Sequence, residues 1–349
     1  MKKIDVVMKP NILSLLPAEL EEIVVNRYHE SAYRALQIFQ WLYKPIKGFS
    51  EMQNIPKRLR EELDTDFQFG IPEIIKQLNS SDSSKKILMK LADNNIIEAV
   101  VIPYEFGDSA CISTQVGCKM ACSFCASGRL GFVRDLEAGE IIGEILAIQQ
   151  ITGRRISSLS LMGIGEPLDN YENIVKFLQI VHHPKGENLG YRSISLSTIG
   201  IVPRIYELAD LKLPIKLCIS LHFPTDNQRS EIMPINRRYP IEALMKSVKY
   251  YAKLSDHQVS IEYLLIEGVN DQPVHANQLI ELVKHLFCHI ALIPVNKIET
   301  DIHAPNRAHV REFKKQLTDV GLRVTIRRGF GGDIAAACGQ LRRSYNESI

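Results

Sequence analysis

From residue 111 onward the chain alternates short β-like runs with helical stretches, and no other feature limits its fold so strongly. The runs are Ser157–Met162, Ser193–Ser197, Ile215–Leu221, Val259–Ile266, His289–Pro294 and Arg323–Ile326. Between them lie helix candidates such as Ala138–Gln149, Ile241–Lys253 and Val274–Leu286. Strands alternating with helices at this pitch imply a parallel sheet with right-handed crossovers. About six such units are too few to close an eight-stranded barrel. The α/β reading is therefore an open, partial (βα)6 TIM-like barrel, with its chemistry at the C-terminal ends of the strands.

The preceding segment reads differently. Residues 12–78 look helical: Leu13, Leu15, Leu16, Leu20 and Ile23 recur at helix-like spacing, as do Ala35, Ile38, Phe39 and Leu42. Pro56 can open a further helix carrying Leu59, Leu63 and Phe67. The polar patch at 79–84 reads as a linker or turn. Residues 86–91 and 96–102 then read as a hairpin turning at Asp93-Asn94-Asn95. The expected organisation is a small helical accessory domain at 1–80, a hairpin extension at 81–104 and a catalytic core at 105–349.

Composition narrows the class. With 349 residues, 45% of them hydrophobic, the chain can bury a large core. Seven cysteines, three crowded into one loop, argue against a disulfide framework and for a reducing compartment. The start carries no apolar signal core, and no run approaches the roughly eighteen apolar residues of a membrane span. The expectation is a soluble cytoplasmic protein. A net charge of +2 does not by itself indicate nucleic acid. Local clusters at Lys57-Arg58-Leu59-Arg60, Arg154-Arg155, Arg237-Arg238, Arg327-Arg328 and Arg342-Arg343 fit either solvated faces or phosphate contacts.

Chemistry concentrates first in Cys118-Lys119-Met120-Ala121-Cys122-Ser123-Phe124-Cys125. Three thiolates at C-x3-C-x2-C spacing suit a [4Fe–4S] cluster with one iron left open for a ligand. Zinc would want a fourth Cys or His at ordinary spacing, and the next ones along are far away. Polar groups then recur at strand ends. They are Gly165 and Glu166 in Met162-Gly163-Ile164-Gly165-Glu166-Pro167, Ser197 in Ser197-Thr198-Ile199-Gly200, Ser220-Leu221-His222, and Asn296 in Pro294-Val295-Asn296. Each singly is compatible with an ordinary turn or helix cap. Several of them behind a three-cysteine loop favour a polar cofactor, with Glu166 placed to accept from an ammonium group.

The cysteine loop followed by Gly165-Glu166-Pro167 resembles the radical S-adenosylmethionine superfamily. The terminal Gly332-Asp333-Ile334-Ala335-Ala336-Ala337-Cys338-Gly339-Gln340-Leu341, with Cys111 ahead of the cluster loop, narrows the resemblance to the RlmN/Cfr family of RNA adenosine methyltransferases. Tyr33-Arg34-Ala35-Leu36-Gln37-Ile38 and Met52-Gln53-Asn54-Ile55-Pro56 extend it over nearly the whole chain. The resemblance implies a cluster on Cys118, Cys122 and Cys125. It implies S-adenosylmethionine held by Gly165, Glu166, Ser197, Ser220, Leu221, His222 and Asn296. In the family, two S-adenosylmethionines serve each turnover. One methylates the cysteine matching Cys338. The other is cleaved to a radical that takes hydrogen from that methyl group, and the resulting methylene radical adds to the adenine. Release needs a proton acceptor, matched by Glu98, and attack by the cysteine matching Cys111 to form a Cys111–Cys338 disulfide.

Implied partners are 23S rRNA at the peptidyl-transferase centre, tRNA for some members, and a flavodoxin-type electron donor, with the enzyme a monomer. Gly165-Glu166-Pro167 and Leu292-Ile293-Pro294-Val295-Asn296 look more like the branch that methylates adenine C2. Residues 192–200 resemble the C8 resistance branch about as well, and residues 297–306 depart from the expected pattern, which keeps a divergent paralogue open. Two other classes compete: an iron–sulfur RNA-binding protein without turnover, and a radical enzyme acting on a peptide or small molecule. Neither needs Cys338.

Overall fold

The amphipathic segments at the start of the chain form helices because their apolar residues repeat on one face. In the computed structural model, which describes residues 9–255, 257–296 and 302–341, these are α1 (Pro17–Asn26), α2 (Tyr33–Leu42) and α3 (Lys57–Asp66). Leu20, Val24, Ile38, Phe39, Leu42, Leu59 and Leu63 are buried. Pro56 stands at the N-cap of α3, as its fixed φ suits.

Next come β1 (Glu73–Asn79), β2 (Lys85–Lys90), β3 (Ile96–Tyr104), β4 (Gly107–Ile112), β5 (Gln115–Gly117), α4 (Ala126–Arg129) and β6 (Phe132–Asp135). The remainder alternates: α5 (Ala138–Thr152), β7 (Ile156–Leu161), α6 (Tyr171–His182), β8 (Ile194–Thr198), α7 (Val202–Asp210), β9 (Lys216–Ser220), α8 (Asp226–Ile232), α9 (Ile241–Ser255), β10 (Val259–Leu265), α10 (Pro273–Val283), β11 (Cys288–Pro294), α11 (Arg307–Asp319) and β12 (Arg323–Ile326).

One sheet of ten strands runs β1-β2-β3-β4-β7-β8-β9-β10-β11-β12. Pairing is antiparallel from β1 to β4 and parallel from β4 to β12. The six β-like runs are all strands within about two residues of their expected ends, as boundaries in a periodic pattern usually are. Beside them stands β4, a further parallel strand that leads into the cysteine loop. The reading of residues 73–78 as helix is corrected: this stretch is β1. Its burial alternates along the strand, the period of a sheet edge with one face covered. The 80–84 patch is the turn that joins β1 to β2.

The helical segment packs on the α/β part through α5. A β-carbon on Gly139 would lie 2.5 Å from the Ser14 nitrogen, and one on Gly143 2.6 Å from the Gly70 carbonyl oxygen. Only glycine admits backbone so close. Side chains from residues 12–67 and from the sheet share one contiguous core. No helix among the described residues is long and apolar enough to cross a membrane.

Candidate active site

Residues beyond the C-terminal ends of β7, β8, β9 and β11, together with Glu262 of β10 and Arg327 after β12, line one cavity. In a flat sheet β7 and β12 would stand about 24 Å apart, at about 4.8 Å per strand. The sheet therefore curls round its contents. A second cavity, of about 300 Å³, adjoins the first. Cys125, Met162, Asn296, Arg327 and Cys338 line both.

Cys118, Cys122 and Cys125 all face the first cavity. The loop reaches this shape through Gly117 at φ +79°, where a β-carbon would lie 1.9 Å from the Gly131 carbonyl oxygen. Ala121 also adopts a left-handed conformation. Cys125 then caps α4. Burial pushes the Cys118 thiol up to about 12, and pushes Cys122 in the same direction. Thiolates so placed need cationic charge beside them. Among the described residues no three His, Cys, Asp or Glu side chains converge on a single ion. Three thiols around one cavity suit the separate corners of an iron–sulfur cluster better than one mononuclear centre.

Beside the cysteines the Glu166 carboxylate accepts from the backbone nitrogens of Leu168 (3.1 Å) and Ile199 (3.0 Å). Burial raises it to about 7, against the lowering effect of these bonds and of Thr198. His222 is lowered to about 4 by burial, so its ring is neutral. Its Nδ1 accepts from the Leu264 nitrogen at 3.2 Å, which places the ring proton on Nε2. Ser197, Ser220, Gly165 and Asn296 also line this cavity. Leu221 is absent from the lining: its side chain enters the core, and its carbonyl accepts from Arg229 Nε at 3.1 Å.

Cys338 rises between the two cavities on a loop docked at both ends. Ala126 N donates to the Gly339 carbonyl at 2.8 Å, Ser127 Oγ to the Leu341 carbonyl at 2.8 Å, and Asn296 Nδ2 to the Cys338 carbonyl at 3.1 Å. Cys111 lines the second cavity, its thiol pushed up to about 12 by burial. Both cysteines are free thiols, so no disulfide joins them in this structure.

A radical SAM superfamily model matches residues 112–280, and an RlmN N-terminal-domain model (ribosomal RNA large subunit methyltransferase) matches residues 10–68. Relatives described as probable dual-specificity RNA methyltransferase RlmN come from Clostridium perfringens and Thermoanaerobacter pseudethanolicus. The first is 47% identical over 341 residues, covering 97% of this chain and 98% of the relative. The second is 48% identical over 340 residues, covering 96% and 98%. The chain belongs to the RlmN family of radical SAM RNA methyltransferases. A crystal structure of a radical SAM methyltransferase from Sphaerobacter thermophilus superposes with a TM-score of 0.92 at 37% identity, covering 96% of this chain and all of that one. Membership in RlmN implies a [4Fe–4S] cluster and S-adenosylmethionine, which the three cysteines and the strand-end groups fit.

Glu98 lies outside the lining of both cavities. It shares a face of β3 with Val100 and Ile102, which line the second cavity, and its carboxylate pairs with Lys86. Two site residues escaped the sequence reading. Glu262 accepts from Arg327 Nη1 (2.6 Å), Ser197 Oγ (3.0 Å) and Ser220 Oγ (3.4 Å). Arg327 Nη2 also donates to Met162 Sδ at 3.2 Å. Each had a signal: Glu262 is the one charge within an apolar strand, and Arg327 directly follows a strand end. Several basic clusters are paired within the fold: Arg58 with Glu30 and Glu62, Arg154 with Asp108, Arg155 with Glu187. Arg342-Arg343 and residues 297–301 of the divergent 297–306 stretch lie outside the described residues.

Proposed function

We propose that the chain methylates C2 of an adenosine in 23S rRNA, and of an adenosine in tRNA, with two S-adenosylmethionines consumed per turnover and Cys338 carrying the methyl group. The observation that supports this most is the place of Cys338, on the wall shared by the cavity of the three cysteines and the cavity of Cys111. A methyl carrier must meet a donor on one side and an acceptor base on the other. A base held within structured RNA must first leave its stack to reach such a wall.

Bound in the first cavity, the cluster and S-adenosylmethionine would supply the methyl group and a 5′-deoxyadenosyl radical. The chain's own groups do the rest. Glu166 and Asn296 orient polar ends of the cofactor, and Ser197 and Ser220 are aimed by Glu262. Cys338 is the nucleophile that takes the methyl group. Glu98 accepts the ring proton at release. Cys111 resolves the attachment, so the disulfide with Cys338 belongs to turnover rather than to the resting fold. A flavodoxin-type donor, a monomeric state and a cytoplasmic location complete the proposal.

The test is mass spectrometry of nucleosides from 23S rRNA and tRNA after reaction with the cluster-loaded protein and labelled S-adenosylmethionine. Labelled 2-methyladenosine is expected in both. Labelled 8-methyladenosine would move the protein to the resistance branch. Methylated Cys338 without any labelled adenosine would overturn the choice of substrate.

A further inference from the structure

Lys86 has no part in the scheme above, yet it touches both Glu98 and the loop that carries Cys338. It pairs across β2 and β3 with Val100, and Val100 pairs across β3 and β4 with Cys111. Directly opposed residues share a face, so Lys86, Val100 and Cys111 form one row pointing to the inside of the curled sheet. Val100 and Cys111 line the second cavity, and Lys86 is the buried next member of the row. Its Nζ lies 3.0 Å from Glu98 Oε1 and donates to the Ala335 carbonyl at 3.1 Å. Ala335 belongs to the loop that presents Cys338.

Three other hydrogen bonds hold that loop from the same side. Gly331 N donates to the Asp82 carboxylate at 2.9 Å. Asp333 accepts from Ser80 Oγ at 2.5 Å and from Ser81 N at 3.0 Å. The turn between β1 and β2 and the start of β2 thus clamp residues 331–335. Of these contacts, that of Lys86 also reaches Glu98.

We propose that Lys86 is a positioning residue for the reaction: its ammonium ties the Glu98 carboxylate to the loop carrying Cys338, so that proton acceptor and methyl carrier keep one spacing. The proposal rests on the roles given above to Glu98 and Cys338. Both members of the pair are buried, with side chains 7% and 4% exposed. Removing the cation leaves a carboxylate in a site that disfavours its charge and its position. The loop keeps its tethers to Asp82 and Asp333. Loss of Lys86 therefore acts on release of the base more than on methylation of Cys338.

The experiment uses full-length, cluster-loaded protein, a 23S rRNA transcript and labelled S-adenosylmethionine. Three quantities are read: methyl on Cys338, labelled methyladenosine, and a covalent protein–RNA band on a denaturing gel. In Lys86→Met, Cys338 methylation stays within about twofold of wild type. Nucleoside product falls about a hundredfold, the scale of a lost general base, and the covalent band accumulates. Glu98→Gln behaves alike, and the double variant is no worse than either single, because the two act as a unit. The double variant removes both charges of the pair, and Lys86→Gln keeps a donor toward Glu98, so either serves where Lys86→Met fails to fold. Product within about twofold of wild type in folded Lys86→Met, or losses that multiply in the double, would overturn the proposal. Parallel loss of Cys338 methylation would reduce Lys86 to a structural residue. A wild-type protein that methylates no adenosine would instead overturn the functional reading itself.

Discussion

Replacing Glu166 by glutamine tests whether burial sets the charge of the cofactor site. The carboxyl is 3% exposed, and burial raises it from 4.5 to about 7. At 1.36 kcal/mol per unit, a gap of about 2.5 units corresponds to about 3 kcal/mol. The sign follows from proton binding. Between pH 4.5 and 7 the folded state holds a proton on Glu166 that the unfolded chain has lost, so stability falls as pH rises through this window and levels off above it. Glutamine keeps the shape and removes the titration. Urea unfolding of cluster-free protein at pH 5 and pH 8 should show wild type losing about 3 kcal/mol relative to Glu166→Gln. Curves that stay parallel within about 1 kcal/mol would refute the reasoning. The same logic couples to ligand binding. An ammonium group against Glu166 favours the carboxylate, so below pH 7 binding of S-adenosylmethionine should release a proton. In Glu166→Gln the affinity should drop about ten- to a hundredfold, the scale of a charge-assisted hydrogen bond.

Two further outcomes follow from the same geometry. Gly117→Ala places a β-carbon 1.9 Å from the Gly131 carbonyl oxygen, so iron and acid-labile sulfide per chain should fall sharply. Gly131→Ala, also at positive φ but with open space around the new carbon, should keep its cluster and lose only about 1–2 kcal/mol of stability; equal cluster loss in both would refute the close-approach argument. Cys338→Ala should abolish RNA methylation while cluster content and S-adenosylmethionine cleavage persist, measured as 5′-deoxyadenosine formed; unchanged methylation would sink the role given to that thiol.

Much of this protein was legible without coordinates. The parallel α/β core follows from the alternation of runs such as Val259–Ile266 with helices such as Ile241–Ser255, because local period and burial agree there. The cysteine loop was legible because its ligands are neighbours in sequence. Strand-end groups such as Ser197 and His222 were legible once the parallel sheet was in place. The edge strand β1 was misread because Glu73–Asn79 is polar and half-exposed, so its period carries little apolar signal. Strand β4 was missed for a similar reason, since Gly107–Ile112 is made mostly of small and polar residues and its alternation carries little apolar signal.

What the tertiary structure alone decided is which distant side chains meet. Glu262 gathers Ser197, Ser220 and Arg327 because the sheet curls and brings four strand ends to one place. Lys86 reaches Glu98 and Ala335 because antiparallel register aligns β2, β3 and β4 on one face while the loop at 331–341 folds back over them. Spacing along the chain determines the ligands of a loop and the period of an element. Curvature and register determine which buried charges find partners, and those depend on contacts between residues far apart in sequence.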